Sequence, residues 1–162
     1  MQELSKSGSV PRRGFRRKRI LVSTVSSDSH TWNLVFLQLL LEEAGHEVHN
    51  LGPCVPDELL LDTARRQRPD AIVISTVNGH GFLDGSRMIR RLREDPELRD
   101  LPVIIGGKLG VAGSADAANA QDLLDAGFTA VFTEDTQPSA LGGYLTGLPA
   151  ADSQRQLTEG AA

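Results

Sequence analysis

The sequence predicts an α/β fold: a doubly wound, five-stranded parallel sheet with helices on both faces. Three observations carry that reading. Short apolar runs alternate five times with longer segments in which apolar residues recur at helical spacing. The connections between them are only a few residues long, which suits right-handed strand–helix–strand crossovers. The run at 71–75, Ala-Ile-Val-Ile-Ser, is almost wholly apolar, as a strand buried on both faces requires. Five strands favour the flavodoxin-like order 2-1-3-4-5, in which the first strand is central and the turn after it lies at the topological switch point.

The elements follow in chain order. Residues 1–18 mix Gly, Ser, Pro and charge without apolar periodicity and read as a disordered basic arm. The first strand spans about 19–25. A helix from about His30 to Gly45 follows, with Trp32, Val35, Phe36, Leu39 and Leu40 as its apolar set. Asp28 or Ser29 is a suitable N-cap, and Gly45 a suitable C′ residue. The second strand covers 47–51 and is broken by Gly52-Pro53. Pro56 opens a second helix that ends near Gln67. After the third strand, 71–75, comes a loop of small and polar residues, Thr76 to Gly81. A third helix carrying Met88, Ile89 and Leu92 ends at Asp95-Pro96. The fourth strand, 102–105, is closed by Gly106-Gly107-Lys108. A helix over about 115–126, a strand over 130–132 and a helix over 138–144 complete the domain, placed at 19–148, and 149–162 read as a flexible tail.

A length of 162 residues suits one domain, large enough to fold on its own aliphatic core without disulfide or structural zinc. Cys54 is the single cysteine, so no internal bridge can form, and a reducing, cytoplasmic setting is expected. No apolar run approaches the roughly 20 residues that span a bilayer, and the N-terminus lacks the apolar stretch of a signal peptide. Residues 1–19 hold seven Lys and Arg against Glu3, a net +6, which leaves −10 for the rest of a chain of net charge −4. A basic arm of this kind can meet nucleic acid or an acidic partner, but Phe15 is its only aromatic. Base stacking needs several aromatics, so nucleic acid is disfavoured.

Three strand ends should meet at the switch point: the turn Ser27-Asp28-Ser29-His30-Thr31, the loop Ser75 to Gly81, and Gly106-Gly107. Each alone has a plain structural reading, as a helix cap, a strand end or a turn. Together, at one edge of one sheet, they point to a site. A phosphorylatable receiver needs an aspartate at the end of the third strand, where Ser75-Thr76-Val77 stands. A dinucleotide turn needs glycines after the first strand, and that turn has none. A flavodoxin-type phosphate loop would want glycine there too, with aromatics to sandwich a flavin. Zinc hydrolysis lacks a second ligand four residues from His30.

The order Asp28-x-His30-x-x-Asn33, then Ser75-x-Val77, then Gly106-Gly107 resembles the signature D-x-H-x-x-G … S-x-L … G-G of the cobalamin-binding domain family. The resemblance runs from about Ile20 to Leu148 and includes Ala44-Gly45-His46-Glu47-Val48 and Ala126-Gly127-Phe128. It is most similar to the small, cobalamin-binding subunits of glutamate (methylaspartate) mutase, which share Ser-Asp-x-His and a Gly-x-Gly matching Gly79-His80-Gly81. Asn33 departs from the family glycine and Val77 from leucine.

That resemblance implies adenosylcobalamin as cofactor, held base-off, with His30 as the lower axial ligand of cobalt and Asp28 fixing its tautomer. It implies cofactor contacts from Ser27, Asp28, Ser29, His30, Thr31, Asn33, Ser75, Thr76, Val77, Gly79, Gly81, Gly106, Gly107 and Lys108. It also implies a larger, barrel-type catalytic subunit as partner, since no residue here points to substrate chemistry. Two alternatives stay open. One is a cobalamin sensor or corrinoid methyl carrier, disfavoured because only about 18 residues precede the first strand, too few for a helical cap domain. The other is a flavin or nucleotide module on the same fold.

Overall fold

The structure, a computed structural model, describes residues 16–110 and 116–149. Most of the expected basic arm, and the expected tail from residue 150 onward, lie outside the described residues. Ten elements alternate: β1 (Arg19–Thr24), α1 (Trp32–Glu43), β2 (Glu47–Asn50), α2 (Asp57–Gln67), β3 (Ala71–Thr76), α3 (Gly81–Glu94), β4 (Val103–Gly107), α4 (Asp116–Ala126), β5 (Ala130–Thr133) and α5 (Pro138–Gly147). The strands form one parallel sheet in the order β2-β1-β3-β4-β5, the flavodoxin-like order read from the sequence.

Side chains alternate across each strand, so the sheet has two apolar faces. Leu21, Ile72, Ile74, Val103 and Ile105 pack toward Leu60, Ala64, Ile89, Leu92 and Leu123, beneath α2, α3 and α4. Ile20, Val22, Val73 and Ile104 pack toward Leu34, Leu41, Leu141 and Leu145, beneath α1 and α5. Each fully buried Val, Leu or Ile among them contributes about 1.5–3 kcal/mol.

Helix α1 differs from its expected orientation and start. It begins at Trp32, not His30, and buries Leu34 and Leu41; Trp32 is 84% exposed and Leu39 61%. The helix is apolar nearly all the way round, so its sequence contains two apolar stripes at helical spacing. The stripe of Leu34, Leu37 and Leu41 fits the sheet and wins. At the other end the expectation holds. Gly45 adopts a φ of +91°, and the His46 N–H bonds back to Leu41 O at 3.0 Å, closing a Schellman turn.

Lys18, grouped with the arm by sequence, is buried instead, at 3% exposure. Its Nζ donates to Leu145 O at 2.6 Å and to Thr146 O at 3.1 Å, where a cation complements the carboxyl end of α5. Among the described residues, no helix is long and apolar enough to cross a membrane.

Register sets the functional edge. Thr24 pairs with Ser75, Ser75 with Gly106, and Gly106 with Phe132, so four strands end at one level. Gly106 and Gly107 belong to β4 itself rather than to a loop after it. Gly107 has a φ of +104°, and any Cβ there would collide with Thr76 O, so only glycine allows β4 to lie against β3 at this edge.

Candidate functional site

The site grows from the turn that leaves β1. Asp28 has no solvent exposure, yet carries a carboxylate. A buried charge persists only when its lone pairs are satisfied, and here they are. Oδ1 accepts from the His30 backbone N–H at 3.0 Å and lies 2.7 Å from His30 Nδ1. Oδ2 accepts from the backbone N–H groups of Val77 at 2.7 Å and Asn78 at 3.3 Å. Burial alone would push this carboxyl up; the bonds from Val77 and His30, with help from Thr76, outweigh it and hold the group below the usual carboxylate range. Asp28 therefore does not cap α1, where Thr31 is the N-cap residue without a side-chain bond. It ties the β1 turn to the β3 loop.

The same contact defines His30. An ionised carboxylate only accepts, so Nδ1 must carry the proton in the neutral ring, and Nε2 keeps the lone pair. The side chain is 57% exposed. Among the described residues no group of three or more His, Cys, Asp or Glu could hold a metal ion. What the turn offers a metal is one oriented imidazole with a carboxylate behind it.

A second network braces the turn from outside. Ser27 Oγ donates to Asp84 Oδ2 and accepts from Asn78 Nδ2 at 3.1 Å. Arg87 joins Asp84, Asp57 and Ser26 at 2.8 Å each. Asp84 is held below the usual carboxylate range: burial opposes this, and the bonds from Ser27 and Arg87 prevail. Sequence reasoning missed Asp84 and Arg87, because in α3 they read as ordinary surface charges.

Beside the turn lies a cavity of about 220 Å3 between the sheet and helices α1 and α5. Val73, Ile104 and Phe132 wall it on the sheet side, Phe36, Leu37 and Leu141 on the helix side. Asn33, Ser75, Val77, Gly106 and Gly107 also line it. Whole small-molecule pockets usually measure about 300–1,000 Å3, so this one suits one limb of a larger ligand. The β5–α5 wall, including Thr133 and Thr136, was not anticipated. The signal was available: it too follows the carboxyl end of a strand in the sheet.

The predicted residues divide accordingly. Asp28, His30 and Val77 meet at the turn, with Thr76 Oγ1 donating to Asn78 Oδ1 at 3.3 Å beside them. Asn33, Ser75, Val77, Gly106 and Gly107 meet at the cavity. Gly79, at a φ of +81°, turns the β3 loop, and Gly81 opens α3, where a Cβ would strike Thr76. Lys108 takes part through its backbone N–H, which donates to Thr76 O at 2.8 Å. Ser29 and Thr31 are exposed and bring no side-chain bond to the turn.

A signature of the B12 binding domain matches residues 18–140. The chain belongs to the B12-binding domain family. Within it, the chain is similar to glutamate mutase sigma subunits. It is 30% identical to that of Carboxydothermus hydrogenoformans over 125 residues, covering 76% of this chain and 90% of that one. It is 28% identical to that of Fusobacterium nucleatum over 120 residues, covering 74% and 88%. Among solved structures it resembles a cobalamin-binding protein from Desulfitobacterium hafniense, with a TM-score of 0.65 at 24% identity. That match covers 80% of this chain and 58% of the other, and supports the fold.

Proposed function

We propose that this chain is the cobalamin-binding subunit of an adenosylcobalamin-dependent carbon-skeleton mutase of the glutamate-to-3-methylaspartate type. It holds the cofactor base-off and presents it to a larger, barrel-type subunit that binds substrate. The observation that carries the reading is the Asp28–His30 pair, 2.7 Å apart at a switch-point turn next to an apolar cavity.

The residues present fit the cofactor. His30 Nε2 is free to serve as lower axial ligand because Asp28 occupies Nδ1. The cavity has apolar walls for a flat aromatic base and polar groups, Asn33 and Ser75, for the rest of a nucleotide tail. Val77 joins the two places, since its N–H holds Asp28 while the residue lines the cavity. When bound, adenosylcobalamin supplies a cobalt–carbon bond that can break homolytically. The chain's own residues bind and orient. Substrate chemistry falls to the partner, which must also exclude water from the reacting centre.

The test is to mix the purified chain with adenosylcobalamin and a large mutase subunit, supply glutamate, and assay 3-methylaspartate. Product is expected only from the complete mixture. Turnover by this chain and cofactor alone would contradict the division of labour. Tight cobalamin binding without activity alongside any mutase partner would favour a cobalamin sensor or carrier.

A further inference from the structure

His30 inherits its aim from the turn that carries it. Its side chain is 57% exposed, and among the described residues its ring makes one hydrogen bond, with Asp28 at 2.7 Å. Where Nε2 points therefore depends on how firmly the chain before Asp28 is held. The two residues immediately before it, Ser26 and Ser27, are both gripped from α3. Arg87 Nη2 donates to Ser26 Oγ at 2.8 Å, and Ser27 Oγ donates to Asp84 Oδ2. Arg87 Nη1 closes the loop by donating to Asp84 Oδ1 at 2.8 Å. Through Nε and Nη2 the same guanidinium clasps Asp57, at 2.8 and 3.3 Å, where α2 begins. Four hydrogen bonds from one flat group thus join α2, α3 and the turn. That task suits the five-donor guanidinium and not the compact charge of a lysine. Stability alone does not account for the placement, since Arg87 is half-exposed and such ion pairs contribute little to folding. Arg91, one turn further along α3, makes the same kind of pair, with Asp57 at 3.7 Å and with Glu58, and has no hydrogen bond to the turn.

We infer that Arg87 and Asp84 are positioning residues: through Ser26 and Ser27 they fix the β1 turn, so that His30 Nε2 is held where cobalt takes its lower ligand. The inference rests on the proposed cobalamin function and deepens it. Both residues act through the turn rather than on the cofactor. In binding, the imidazole must displace the cofactor's own base, and an imidazole free to swing displaces it incompletely. Asp28 sets the tautomer and rotation of the ring; the clamp from α3 keeps the backbone beneath it from moving.

The test titrates the full 15N-labelled chain with cob(II)alamin of natural isotopic abundance in the absence of oxygen. Absorption gives the affinity, and paramagnetic resonance identifies the axial nitrogen. Wild type should show the doublet of a 15N ligand. Arg87→Met and Asp84→Ala should bind about tenfold more weakly, with part of the cobalt showing the triplet of the cofactor's own 14N base. Arg91→Met, which removes ion pairs from the same helix without touching the turn, should match wild type in both readouts. Wild-type affinity with an undiluted doublet in the first two variants would overturn the inference. Weaker binding with an undiluted doublet would make the clamp merely structural and overturn it as well. An equal loss in Arg91→Met would do the same, because any ion pair between α2 and α3 would then have that effect. If a charge-removing variant does not fold, Ser27→Ala, which removes only the hydroxyl between the turn and α3, carries the same prediction and the same refutation. A wild-type chain that binds no cobalamin, or binds it with the triplet, would instead refute the proposed mode of cofactor binding, and the inference with it.

Discussion

Asp28 is the residue through which the turn, the β3 loop and His30 act as one unit. Its carboxylate takes four hydrogen bonds, and two of them come from groups 49 and 50 residues away in sequence. The Asp-x-His spacing was legible in the sequence because both residues lie in one turn. The bonds from Val77 and Asn78 were not, since only the pairing of β1 with β3 brings that loop alongside. In Asp28→Asn one end of the amide would face N–H donors, leaving a buried mismatch worth about 1–3 kcal/mol. The pH dependence has a definite sign. The folded carboxyl titrates below its ordinary value near 3.9, so its contribution is complete above that pH and is lost as pH falls through the folded value. Urea unfolding should therefore show wild type more stable than Asp28→Asn at pH 7, with the gap closing toward pH 3. A gap that does not change with pH would remove the carboxylate from this role.

Helix α1 shows where periodicity stops being informative. Trp32, Val35, Phe36 and Leu39 form as good an apolar stripe as Leu34, Leu37 and Leu41, and only packing on the sheet chooses between them. The choice also matters for the site, because it turns Asn33, Phe36 and Leu37 toward the cavity. Two substitutions of identical chemistry separate the faces. Leu41→Ala empties a fully buried position and should cost about 2–5 kcal/mol. Leu39→Ala, on the exposed face, should change stability by no more than about 0.5 kcal/mol. Denaturant midpoints at equal slope measure both, and equal losses would mean that the helix sits differently on the sheet.

For the molecule as a whole, the alternation of apolar runs predicted a parallel doubly wound sheet, the count of five strands favoured the order it has, and that order brings three separate sequence segments to one edge. The cavity was less legible. Its walls come from α1, β3, β4, β5 and α5, and its shape depends on how two helices pack over one sheet face, which no local pattern records. The proposed function turns on one claim above the others: that an imidazole of this chain, rather than the cofactor's own base, binds cobalt. Its most direct test is paramagnetic resonance of cob(II)alamin at natural isotopic abundance, bound to uniformly 15N-labelled protein. A single axial protein nitrogen of nuclear spin one-half should split each resolved cobalt line into a doublet, and His30→Ala should abolish that splitting. A triplet from 14N would show that the cofactor's own base still occupies the lower position, and would contradict the account.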